Sequence, residues 1–202
     1  MVELFVKGGS FMWPILAIFI VGLIFVGERL YHLLATSKWD AGFAKDVTEQ
    51  LDGSGALEAQ TLCETGKGPV SNLLLTGLDN LDKNILDIEK AIDSKANVEM
   101  SFLEKNMTWI ALCIATAPML GFLGTVWGMV GAFEKIAAAD NISASIVAGG
   151  ISEALLTTAF GLVVAVVLQI LQNTVLYIID NKVVSMQKGV NMLMGAIEKF
   201  KK

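Results

Sequence analysis

APMLGFLGTVWGMVGAF, Ala117 to Phe133, is the stretch whose reading decides the fold. It closes a charge-free run that begins at Met107. That run is long enough to cross a bilayer, which takes about 20 apolar residues. Four glycines crowd it: Gly121, Gly124, Gly128 and Gly131. A helix facing lipid gains nothing from them. A helix pressed against other helices does, because small residues let backbones approach. At about 100° per residue, Gly121, Gly124, Thr125, Gly128 and Ala132 share one face. The stretch therefore reads as an inner helix of a membrane bundle that presents one hydroxyl, Thr125.

The next apolar run, Ile142 to Ile179, carries a single charge, Glu153. A charge at mid-bilayer costs about 2.5–3.5 kcal/mol on insertion scales, so an ionisable group there is functional by default. Glu153 then faces a cavity, a partner or another polar group, and is a candidate proton acceptor. The bland alternative puts it at the hydrated outer interface. Thr157 follows one turn later, nearly on the same face, with Gly161 a turn further. Thr158 shares an adjacent face with Ala165 and Gln169. For any one such threonine the commonest use is a bond back to the carbonyl four residues earlier. Here Thr125 comes from one helix and Thr157-Thr158 from its neighbour across a short connection. With both faces inward, they line one lumen with hydroxyls and a carboxyl. Such a lumen passes protons or small hydrated cations, or holds a polar partner helix. Three crossings can hardly enclose it alone, so a homo-oligomeric ring is expected.

Composition agrees with a membrane protein. Of 202 residues, 54% are hydrophobic and 17% charged, too apolar for an ordinary soluble domain. The net charge of -5 gives no reason to expect nucleic acid. One histidine, His32, and two separated cysteines, Cys63 and Cys113, leave little material for a zinc site, a Ser-His-Asp arrangement or a disulfide framework. An enzyme is disfavoured and no cofactor is expected. The first apolar run, Phe11 to Gly27, follows a lone Lys7 and ends at Glu28-Arg29. It lacks the basic lead and small-residue cleavage site of a signal peptide. It reads as a retained membrane helix, with Trp13 and Tyr31 near its ends as interfacial aromatics.

Between the first and second runs lies a polar insertion with 7 lysines against 13 acids. Two short amphipathic pieces come first, around Phe43, Val47 and Leu51 and then from Leu57 to Cys63. Pro69 is placed to open a helix. Leu74, Leu78, Leu81, Ile85, Ile88 and Ile92 then recur at alternating fours and threes, a heptad seam. No glycine or proline occurs from Leu78 to Ala117, so one unbroken helix running into the membrane is expected. After Phe133 comes a polar turn, with Asp140 or Asn141 as cap for the next helix. Gln169, Gln172 and Asn173 return the third run to water, and its continuation packs against the insertion.

The expected organisation is an N-terminal segment (1–10), a first membrane helix (11–34), a helical insertion (35–106), a second membrane helix (107–133), a turn (134–141), a third membrane helix (142–168) and a C-terminal helix (169–202). Arg29, Lys38, Lys95, Lys105, Lys182 and Lys188 fall on one side of the membrane, against Lys7 and Lys135 on the other. The positive-inside rule makes the insertion and C-terminal helix cytoplasmic, and the N-terminus and the 134–141 turn external.

Two motifs carry a family resemblance. Leu120-Gly121-Phe122-Leu123-Gly124-Thr125-Val126-Trp127-Gly128-Met129 and Ile151-Ser152-Glu153-Ala154-Leu155-Leu156-Thr157-Thr158-Ala159-Phe160-Gly161-Leu162 together resemble the MotA/TolQ/ExbB proton-channel family, most closely its ExbB and TolQ branch. The resemblance covers nearly the whole chain. It implies an all-α protein of three transmembrane helices with long cytoplasmic helical extensions, assembled as a pentameric ring in the inner membrane of a Gram-negative cell. The ring would surround the single membrane helices of an ExbD- or TolR-like partner that carries a proton-exchanging aspartate. The family's pore residues match Thr125, Thr158 and Glu153. In the ExbB branch such a complex energises TonB and outer-membrane transport, and in the TolQ branch TolA. Family sequences usually place a proline soon after the third-helix Gly-Leu, and here Gly161 to Val167 contains none. The amides of Gln169, Gln172 and Asn173 are a second departure.

Two rival readings stay open. One is a flagellar or gliding stator subunit, proton- or sodium-driven. The stators compared have four membrane helices where this chain shows three. The other is a structural membrane scaffold whose glycine face only packs helices. The glycines themselves have two uses, tight packing within the ring or room for a partner helix.

Overall fold

The computed structural model describes residues 2–35, 42–66, 68–138 and 144–201, all organised as helices and their connections. The helices are α1 (Val2–Lys7), α2 (Met12–Ala35), α3 (Phe43–Gly53), α4 (Ala56–Thr65), α5 (Pro69–Asp79), α6 (Ile85–Leu103), α7 (Met107–Ala138) and α8 (Ala144–Phe200). Met12–Ala35, Ile85–Ala138 and Val147–Phe200 hold stretches long and apolar enough to cross a membrane. The chain forms two compact units, one of residues 1–28 with 106–174, the other of 29–105 with 175–202.

The first unit is built on an antiparallel pair, α7 against the first half of α8. A Cβ added at Gly161 would lie 2.6 Å from the Ala117 carbonyl oxygen. One at Gly121 would lie 3.1 Å from Thr158 Cα, and one at Gly128 3.2 Å from Ala154 Cβ. Gly124 faces Thr157. As the numbers rise along α7 they fall along α8, so glycine meets small residue or backbone at each turn. At Gly121, Gly124, Gly128 and Gly161 two helices of one chain come into close contact. Gly131, off that face, has nothing within 4 Å. α2 closes the unit by packing Ile15 with Cys113, Ala117, Val164 and Leu168.

α7 continues through Glu134 and Lys135 to Ala138, so those two residues are helical where a turn was expected. The expected caps Asp140 and Asn141 lie outside the described residues, as does Lys38.

The second unit gathers α3, α4, α5 and α6 with the second half of α8. Val47, Leu51, Ala59, Leu73, Leu74, Ile88, Ile92, Leu193 and Ile197 are all almost wholly buried there. Each large apolar side chain so buried contributes roughly 1.5–3 kcal/mol. Gly77 lets Leu193 of α8 and Ile92 of α6 close over α5.

The single helix expected from Leu78 into the membrane is interrupted twice. α5 stops at Asp79, and α6 starts after Asn84, whose backbone is extended (φ -66°, ψ 152°). The link reads Asn80-Leu81-Asp82-Lys83-Asn84, where short polar side chains offer the backbone hydrogen bonds outside a helix. Asn80 Nδ2 donates to the Thr76 carbonyl at 2.7 Å. The chain reverses, so that Asn72 Nδ2 donates to Glu99 Oε1 at 2.9 Å. The seam is therefore split across a helical hairpin: Leu74, Leu78, Ile88 and Ile92 are buried, while Leu81 and Ile85 at the bend are half-buried. The second interruption is at Glu104–Asn106, where Asn106 takes a left-handed φ of 65°. Asparagine tolerates that region better than most residues. Its Nδ2 donates to Glu28 Oε2 at 2.7 Å.

Candidate functional site

Thr125 of α7 and Thr158 of α8 meet on the hairpin, their hydroxyls in direct hydrogen-bond contact. Thr158 Oγ1 also donates across the helix pair to the Gly121 carbonyl at 3.0 Å. It does not take the ordinary intrahelical bond to the carbonyl four residues back. Thr125 Oγ1 lies 3.2 Å from the Ala154 carbonyl and 3.3 Å from its own intrahelical Gly121 carbonyl. A hydroxyl has one proton to give and two lone pairs to accept with. Two protons thus serve a pair of hydroxyls and two carbonyls, and either hydroxyl can re-aim toward water or a passing cation. Both threonines are half-buried, so the pair opens to one side. The approach that joins them depends on Gly121, because any side chain there would press on the Thr158 backbone.

Thr157 goes elsewhere. It is 1% exposed, and its hydroxyl lies 2.9 Å from the Gly8 carbonyl and 2.8 Å from that of Glu153. The structure thus joins Thr157 to Glu153 and to the turn before α2, whereas it joins Thr158 to Thr125. Glu153 is half-buried, one turn before Thr157 on α8. Its carboxyl packs on Gly9. It is the one charged residue between Ala144 and Ile179. Gln169 Nε2 donates to Asn173 Oδ1 at 3.1 Å on an exposed face further along α8. No group of three or more His, Cys, Asp or Glu side chains gathers among the described residues.

The sequence reading missed Gly8, Gly9 and Phe11 as site residues. Gly8-Gly9-Ser10 signals a break between helices, and nothing in its composition ties it to residues some 145 positions away. Phe11 packs beside Gly124, and its ring lies 6.3 Å from that of Trp127.

Around the hairpin the surface is strongly apolar. Phe122, Trp127, Leu155 and Leu162 are each more than half exposed. Exposed apolar area on this scale belongs to lipid or to other chains rather than to water. These features define a multi-pass helical membrane protein with a hydroxyl pair and a carboxyl on its central hairpin. The sequence model of the MotA/TolQ/ExbB proton channel family matches residues 66–188, and the chain belongs to that family. It is 32% identical over 182 residues to a biopolymer transport protein ExbB homolog of Methanothermobacter thermautotrophicus, covering 90% of this chain and 64% of that one. It is 30% identical over 167 residues to the biopolymer transport protein ExbB of Xanthomonas campestris, covering 79% and 64%. A shorter match, 36% over 77 residues, reaches the Tol-Pal system protein TolQ of Haemophilus influenzae, covering 38% of this chain and 34% of that one. The chain thus spans 64% of the length of each of the two ExbB relatives.

Proposed function

We propose that this chain is the ring subunit of an ion channel in a bacterial inner membrane, converting proton motive force into motion of a partner. The observation that carries the reading is the Thr125–Thr158 hydroxyl pair, held across two membrane-spanning helices by glycine contacts within the family-matched region. In this reading five copies enclose a lumen that holds the membrane helices of an ExbD- or TolR-like partner. The partner's aspartate takes up and releases protons. Thr125 and Thr158 hydrate and orient it, Glu153 tunes the external entrance, and Thr157 fixes the turn of α8 that carries Glu153. The N-terminus and the end of α7 face the periplasm. The second unit and the end of α8 are cytoplasmic and hold the ring together. The work drives a TonB-like protein and outer-membrane transport. The match to TolQ keeps a TolA-driving role as the second reading.

Co-expression with a neighbouring gene product of one membrane helix bearing an aspartate, followed by native mass spectrometry, tests the assembly. A ring of five chains retaining that partner is expected. A monomer, or a ring that never retains the partner, defeats the reading.

A further inference from the structure

The turn that leads into α2 reaches both helices of the candidate site. The Gly8 carbonyl accepts the hydroxyl of the buried Thr157 at 2.9 Å. Phe11 Cβ lies 3.2 Å from where a Cβ on Gly124 would stand. Gly9 has a left-handed φ of 75°, and a Cβ there would fall onto the Glu153 carboxyl, with Cδ 2.7 Å away. The carboxyl therefore occupies the space that any side chain at residue 9 needs. Left-handed geometry alone does not require this contact: Gly42 has φ 92° and nothing within 4 Å. Nor does the turn merely pass nearby, since it is fastened on one side by Thr157 and on the other by Phe11.

We propose that the Gly8–Phe11 turn is a positioning element for the Glu153 carboxyl. Gly9 acts as the seat on which the carboxyl rests, and the Thr157-to-Gly8 hydrogen bond locks the seat to α8. The proposal rests on the reading of Glu153 as an ion-path group and extends it. The geometry of that group is set by the N-terminal turn, outside the two helices of the hairpin. Gly9→Ala displaces the carboxyl from the seat, and Thr157→Val releases the seat from α8.

The test is the rate at which an apolar carbodiimide modifies Glu153 in membranes containing the full chain, read by mass spectrometry at fixed pH. Gly9→Ala is expected to raise that rate several-fold and Thr157→Val to raise it in the same direction. Gly42→Ala, which carries comparable backbone strain without a neighbour, leaves it unchanged. Ion flux supplies a second readout. Glu153→Asp shortens the side chain by one methylene, so Gly9→Ala costs less flux on that background than on the wild type. A wild-type labelling rate in both Gly9→Ala and Thr157→Val, or equal flux losses on the two backgrounds, overturns the proposal. Normal flux in Glu153→Gln instead defeats the ion-path reading of Glu153, and the labelling comparison still reports on the seat.

Discussion

Gly161→Ala isolates the packing that brings the candidate site together. The added Cβ would lie 2.6 Å from the Ala117 carbonyl oxygen, about 0.8 Å short of the 3.4 Å at which ordinary contact begins. Its next neighbours are Gly121 Cα at 3.1 Å and Gly121 N at 3.3 Å. All three are backbone atoms, so no rotamer change relieves the clash and α7 must move away from α8. Overpacking of this kind costs about 1–3 kcal/mol. Gly131→Ala is the matched control, because it lies within α7, the other helix of the pair, with nothing within 4 Å. Both substitutions gain about 1 kcal/mol of helix propensity, which cancels in the comparison. At about 2–4 °C per kcal/mol for a chain of this size, Gly161→Ala should melt roughly 2–12 °C below Gly131→Ala. Intrinsic tryptophan fluorescence in detergent gives the assay, with Trp109 and Trp127 on α7 as reporters. Equal melting temperatures would refute the view that α7 and α8 meet backbone to backbone at Gly161.

Asn106→Gly should be tolerated better than Asn106→Ala. Glycine accepts φ 65° freely while alanine adds about 1 kcal/mol of strain, and both lose the bond to Glu28; chemical denaturation compares them. Leu193→Ala empties a fully buried position beside Gly77 and should cost about 2–5 kcal/mol, read as a loss of protease resistance in the second unit. Burial, and secondarily the charge of Asp79, pushes the Cys63 thiol up to about 12. A group whose folded pKa is raised contributes stability that is complete below its unfolded pKa and is lost as pH climbs through the window to the folded value. Cys63 should therefore resist thiol reagents in the native chain at pH 8–9 and react on unfolding, and its contribution to stability should fall between about pH 9 and 12.

Much of the helical plan is legible in the sequence because it depends on composition and period. The charge-free run ending at Phe133 and the lone charge of Glu153 locate the hairpin. The glycine face of α7 announces close packing, although only the folded structure shows that it packs on α8 of the same chain. What the sequence hides is of two kinds. The Asn80–Asn84 bend contains neither glycine nor proline, and the bond from Asn80 to the Thr76 carbonyl at the end of α5 is a local contact that a heptad count ignores. The separation of Thr157 from Thr158 is hidden because adjacent helical residues point about 100° apart, and which direction is inward depends on where α2 and its leading turn pack. The seat at Gly9 is a contact between distant residues, for which neither period nor composition carries any signal.

The central claim is that the Thr125–Thr158 pair lies on the ion path. It is tested most directly by proton flux into vesicles holding the chain with the proposed single-helix partner, comparing the wild type with Thr125→Val and Thr158→Val. Valine keeps the volume and removes the hydroxyl. The account predicts that each variant assembles as the wild type does and loses at least ten-fold in flux. Thr158→Val protein that assembles as the wild type does and conducts at the wild-type rate would contradict it.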